Sequence, residues 1–148
     1  MIIIKLKLLI TSAFGVSWTA FVTALYGSVN NELKTLLILI LIDLICGLIT
    51  AAVFKRSPKT ESGGLSSNEM RKGVFKKIGI LLVVAVAHQI DVTLHINYIM
   101  YACEVTLIAE EILSIIESAG LMGIPIPGVI KNSIDLLNMK VNDILKGE

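Results

Sequence analysis

Residues 35–54 read TLLILILIDLICGLITAAVF, and this run decides what kind of fold the chain can adopt. Its 20 residues are broken by one charge, Asp43. At about 1.5 Å per residue they make about 30 Å of helix, the thickness of a bilayer's hydrocarbon core. The run is apolar on every face, whereas a helix on the surface of a soluble domain carries an apolar stripe opposed by polar residues. Lipid is the solvent that such a helix fits.

Three further segments follow the same logic. Residues 8–27 hold the uncharged stretch LLITSAFGVSWTAFVTALY. Lys5 and Lys7 before it give it a signal-peptide look, but it is longer than an h-region and no A-x-A site follows, so it reads as a retained span. Residues 74–94 reach spanning length if Lys76 and Lys77 snorkel at one end and Asp91 sits near the other. Residues 96–117 have the length but contain Glu104, Glu110 and Glu111. The expected fold is an all-α membrane protein with about four transmembrane helices in residues 1–120. A Pro-containing breaker and an amphipathic helix follow in residues 121–148.

Composition agrees. Apolar residues make up 55% of the 148 and charged residues 17%, against roughly 45–50% and about 25% in soluble domains. Mean hydropathy is +0.82. The net charge is +1. These values exclude a disordered chain, a nucleic-acid binder driven by overall basic charge and a soluble enzyme with a large polar surface. Cys46 and Cys103 lie in apolar runs and read as small hydrophobes, not as a disulfide framework.

Basic residues set the orientation. The segment between spans 2 and 3 carries Lys55, Arg56, Lys59, Arg71, Lys72, Lys76 and Lys77, so loop 55–73 is expected in the cytoplasm. Four spans then place both termini there too. Lys5, Lys7, Lys131, Lys140 and Lys146 join the inner side, leaving Lys34 alone of the 13 basic residues outside. The Ser/Gly-rich centre of the loop predicts mobility, and its basic clusters fix topology, with attraction to anionic headgroups as a second use. Beyond span 4, Gly123, Pro125 and Pro127 interrupt the helix. Ile130, Ile134, Leu137, Val141 and Ile144 then recur at helical spacing, which predicts a helix docked on the membrane surface or on a neighbouring subunit.

The intramembrane acids are the candidate functional residues, because each charged acid at mid-bilayer costs roughly 2.5–3.5 kcal/mol. Asp43 and Glu104 each lie eight residues inside the outer end of their span, at a depth of about 12 Å. His88 falls at a comparable level, where no Lys or Arg is expected. A hydrogen-bonded cluster of Asp43, His88 and Glu104 is one reading. The other gives His88 a backbone carbonyl or water. Glu104 and Glu111 share a helix face with Ile108 and Ser118, while Glu110 and Glu117 share another. Such a seam belongs either inside one bundle or between subunits, where assembly would wet it. Asp43, Gly47 and Ala51 form a small-residue face suited to close helix packing. No catalytic, phosphate-binding or metal-ligand pattern is present, no cofactor is implied, and His95 reads as a solvated turn residue. Nothing supports a nucleic-acid partner.

Three segments resemble the lysis and toxin-secretion holins of Gram-positive bacteria and their phages, in the group that includes the holin of the clostridial toxin locus. The first is D-L-I-C-G, with Asp43 and Gly47. The second is G-V-F-K-K, with Gly73, Lys76 and Lys77, followed at family spacing by Asp91. The third is E-E-I-L-S-I-I-E-S and then G-I-P-I-P, which places Glu111, Ser114, Glu117, Gly123, Pro125 and Pro127 on the family pattern. Ser118 departs from it, since family members often carry Asn there.

The resemblance implies a multi-pass protein of the bacterial cytoplasmic membrane, not an enzyme. Such a protein accumulates and then forms homo-oligomeric lesions that release a cell-wall hydrolase or a large toxin. The residues bring a physical logic of their own: acids unpaired in lone helices would gain from facing water or one another on assembly. Two other readings compete. One is a small ion or proton channel or transporter subunit using the carboxylates and His88. The other is a passive anchor for a secretion complex, in which the amphipathic tail would matter and the acids would not.

Overall fold

The computed structural model describes residues 2–147; Met1 and Glu148, the outer bounds of the two expected regions, lie outside the described residues. Five helices follow in order: α1 Ile2–Tyr26, α2 Asn31–Ala52, α3 Ser67–Leu94, α4 Ile99–Leu121 and α5 Gly128–Lys146. No strand occurs among the described residues. Three helices, α1, α2 and α3, are long and apolar enough to cross a membrane. The acids of α4 keep it out of that set, although it is 23 residues long.

Each helix boundary has a local chemical cause. Asn30 accepts from the Leu33 amide at 2.7 Å and caps α2. Ser66 caps α3 through the Glu69 amide. α3 ends with His95 in the left-handed region at φ 56°, and the Ile96 amide returns to the Asp91 carbonyl. α4 ends the same way. Gly123 takes φ +79°, its amide bonds Gly120, and the Ile124 amide reaches the Ala119 carbonyl at 2.9 Å. Pro125 follows directly and cannot continue the helix.

The most acidic helix occupies the centre: α4 packs against α2, α3 and α5. The core is thin. Leu33, Leu36 and Ile40 of α2 meet Val84 and Ala87 of α3 and Met100 and Ile108 of α4. Most large apolar side chains of α1, α2 and α3 face outward, as lipid-facing helices require. No residue of α1 is buried. It touches α3 through its last turn, where the Tyr26 hydroxyl donates to the Leu81 carbonyl at 3.0 Å and Gln89 donates to the Ala24 carbonyl.

Outside the bundle core the structure adds contacts that the sequence alone does not specify. Segment 55–66 folds into turns: the Ser57 amide bonds the Gly63 carbonyl at 2.9 Å and Thr60 Oγ1 donates to Gly64. Arg56 fastens the segment to the bundle by donating to the last carbonyl of α4, Leu121, at 3.1 Å, where a cation suits the helix dipole. α5 folds back along α4 of its own chain, with Val141 against Ala102 and Val105 and Leu137 beside them. The C-terminal end of α5 therefore lies at the end of the bundle opposite the basic segment, and not beside that segment as expected. The short linker after Gly123 turns the chain back, and the apolar stripe of α5 finds the small side chains at the start of α4.

Candidate functional site

Lipid gives helices no hydrophobic reason to associate, so packing and polar bonds between helices carry the bundle. Three of these polar contacts join α2, α3 and α4 through carboxylates, and every singled-out acid facing inward takes part in one.

The innermost contact lies between α2, α3 and α4. Lys77 Nζ stands 2.8 Å from Asp43 Oδ2 and donates to both oxygens of Glu111, at 2.8 and 2.6 Å. One ammonium thus holds two carboxylates from two other helices. Lys77 does not snorkel outward as its position at the start of the apolar run predicts. Its four-carbon stem reaches across α3 into the bundle, because two buried carboxylates bind the ammonium better than a distant headgroup layer does. Lys76, its neighbour, is exposed.

The second contact ties α2 to α4. Asn30 Nδ2 donates to Glu104 Oε2 at 2.9 Å while Asn30 Oδ1 caps α2. Glu104 is fully buried, and its Oε1 has no hydrogen-bond partner among the described residues. The third ties α3 to α4. Asp91, also buried, accepts from the amides of Ile99 and Met100 at 3.0 and 2.9 Å. These are orphan donors of the first turn of α4, whose own flanking residue Tyr98 provides no side-chain cap. Asp91 therefore acts as an N-cap supplied from the preceding helix.

The expected grouping of Asp43, His88 and Glu104 is not formed. Asp43 goes to Lys77, Glu104 to Asn30, and His88 packs against Gly27. A Cβ at Gly27 would stand 2.7 Å from His88 Cε1, and the residue has φ +68°, so both space and conformation call for glycine. Asp43, Asp91, Glu104 and Glu111 thus find donors within the single chain, whereas Glu110 is exposed. The seam of Glu104 and Glu111 lies inside one bundle, and both residues are buried by their own chain.

Gly47 does not make a close helix contact either. A Cβ there would meet nothing within 4 Å, and the same holds for Gly73 across from it. Both line a cavity of about 410 Å³ between α2, α3, α4 and the basic segment, together with Thr50, Ser114, Ser118 and Lys77. α2 and α3 stand apart at this end, with the two glycines bordering the space between them. Ala51 is buried beside the cavity.

The remaining motif positions have separate places. Glu117 borders the cavity and is exposed. Gly123 and Pro125 form the turn that ends α4, and Pro127 precedes α5. Sequence reading missed Asn30 and Arg56 as cross-helix donors. Asn30 carried a visible signal, being an N-cap residue type directly ahead of an apolar run.

Comparison with known proteins adds an independent finding. Residues 20–139 match the family model described as the bacteriophage holin family. A probable holin of Bacillus phage phi105 is 34% identical over 114 residues, covering 76% of this chain and 78% of that one. An uncharacterised Listeria innocua protein is 38% identical over 120 residues, or 80% of each chain. An uncharacterised Clostridium perfringens protein is 33% identical over 130 residues, covering 84% of this chain and 90% of its own. No solved structure matches.

Proposed function

The chain belongs to the bacteriophage holin family, and from that premise we propose that it opens lesions in the bacterial cytoplasmic membrane by assembling with copies of itself. α1 to α4 cross the bilayer, with the basic segment 55–66 in the cytoplasm. The lesions pass a cell-wall hydrolase in a lysis setting or a large toxin in a secretion setting.

One observation carries the mechanism: the buried contact of Lys77 with Asp43 and Glu111. It joins three helices at a depth where lipid offers no substitute partner. Such a contact favours a closed single bundle while it is intact. Separating the helices exposes three ionic groups together, so opening is favourable only where water or other copies receive them. This makes the transition all-or-none, as a protein that accumulates before it acts requires.

The test is induced expression beside a cytoplasmic cell-wall hydrolase that lacks its own export signal. Lysis that needs both proteins, with release of a folded cytoplasmic reporter, is expected. Collapse of an ion gradient without protein release would instead establish a selective channel.

A further inference from the structure

The outer surface of this bundle is of two kinds. Through the middle of α2 and α3 the exposed side chains are apolar, as at Leu41, Ile45, Leu82 and Val83. On α4 and α5 they are mixed: Leu113, Val129, Ile130, Leu136, Met139 and Leu145 are exposed beside many polar and charged residues. α5 turns Leu137 and Val141 toward α4. It leaves Lys131, Asn132, Asp135, Asn138 and Asn142 exposed. α4 adds an exposed stripe of its own, Thr106, Glu110, Leu113 and Glu117, in which both charges are acidic.

Position makes this surface informative. α5 is 19 residues long, about 28 Å of helix. It runs beside α4 until Lys140 stands 5.7 Å from the Tyr101 ring and Val141 touches Ala102. The polar surface thus extends along the bundle from the turn after α4 to the opposite end. Hydrocarbon cannot solvate it at that depth. The two helices also differ in charge. The charges of the exposed α4 stripe are Glu110 and Glu117, whereas α5 carries Lys131, Lys140 and Lys146 against Asp135 and Asp143. A stripe of one sign beside a helix of net opposite sign lets the α4 of one copy face the α5 of the next.

We propose that the α4–α5 hairpin is the wall by which copies of this chain surround a water-filled lumen, while α2 and α3 keep their apolar faces to lipid. Glu110, Glu117 and the Asn-rich face of α5 then meet water, and Glu104 and Glu111 stay inside each bundle. This rests on the lesion-forming reading and specifies which surface lines the opening.

The test is cysteine labelling in a chain carrying Cys46→Ala and Cys103→Ala, with single additions Asn138→Cys, Glu110→Cys, Val83→Cys and Ser62→Cys. Variants that retain timed lysis are used. Membranes collected before and after lysis onset are sonicated with an impermeant maleimide, so both faces meet the reagent. Ser62→Cys is expected to react in both samples and Val83→Cys in neither. Asn138→Cys and Glu110→Cys are expected to react at least about tenfold faster after onset, as a thiol does on gaining access to water. Equal rates before and after onset at both positions, fast or slow, would overturn the proposal, as would an equal rise at Val83→Cys. Release of a cytoplasmic reporter from the same cells separates the two readings. Release without the labelling rise removes the hairpin wall and leaves lesion formation standing. Cells making the unaltered chain that release nothing remove both.

Discussion

Replacing Lys77 by methionine tests the role given to the buried contact. The side chain stays unbranched, is one atom shorter and loses its charge, leaving Asp43 and Glu111 facing each other with no cation. The relevant regime is the buried one: the Lys77, Asp43 and Glu111 side chains are 12%, 11% and 3% exposed. Removing one partner of a buried pair costs about 3–5 kcal/mol. Taking the lower figure, the closed bundle loses roughly a hundredfold in population relative to separated helices. Lysis in a culture expressing Lys77→Met is therefore expected to begin earlier than with the unaltered chain at equal protein in the membrane. The amount is measured by immunoblot of the membrane fraction, so a chain that fails to insert is recognised. The triple variant Asp43→Asn, Lys77→Met, Glu111→Gln removes all three charges together and is expected to return onset toward its original time, since a buried ionic group replaced as a set costs little. A delayed onset for Lys77→Met at normal abundance would refute the reasoning, because the contact would then belong to the open state. Identical onset for all three chains would refute it as well.

Other outcomes follow from the remaining contacts. Asp91→Ala removes the cap of α4 and should cost about 1–2 kcal/mol, read as a loss of several degrees in the melting temperature of the detergent-extracted protein; Asp91→Asn should lose less. Gly27→Ala should destabilise through both its positive φ and its clash with His88, and His88→Ala in the same chain should restore the steric part, a coupling read from a double-mutant thermal cycle. Gly47→Ala should leave stability unchanged or raise it by up to about 1 kcal/mol, because its added methyl meets open space and alanine favours helix. A marked loss at that position would restore the close-packing reading of the small-residue face.

The legibility of the site in the sequence varied by residue. Asp43, Glu104 and Glu111 stood out because an acid in an apolar run is costly wherever it points. Their faces were legible too, since residues seven apart on α4 must share a side. Their partners were not. Lys77 lies where the apolar stretch begins, and a lysine there reaches the headgroups or the interior with equal ease by stem length alone. His88 and Glu104 matched in depth but not in direction, and depth is all that counting residues supplies. Asp91 looked like an edge residue of a span, whereas it caps a helix that begins eight residues later.

By itself the sequence determined that this chain is helical, that it lives in a membrane, and that it carries the holin motifs. Those properties depend on runs, local spacing and short motifs, which do not require knowing how the helices meet. Only the tertiary structure decided which carboxylate pairs with which donor, that Gly47 faces a cavity, and that α5 returns along α4 with its Lys, Asn and Asp side chains outward. These depend on the rotation and relative height of each helix against its neighbours. In lipid that arrangement is chosen by the few polar groups able to find one another, because every apolar face is nearly as well served by the acyl chains.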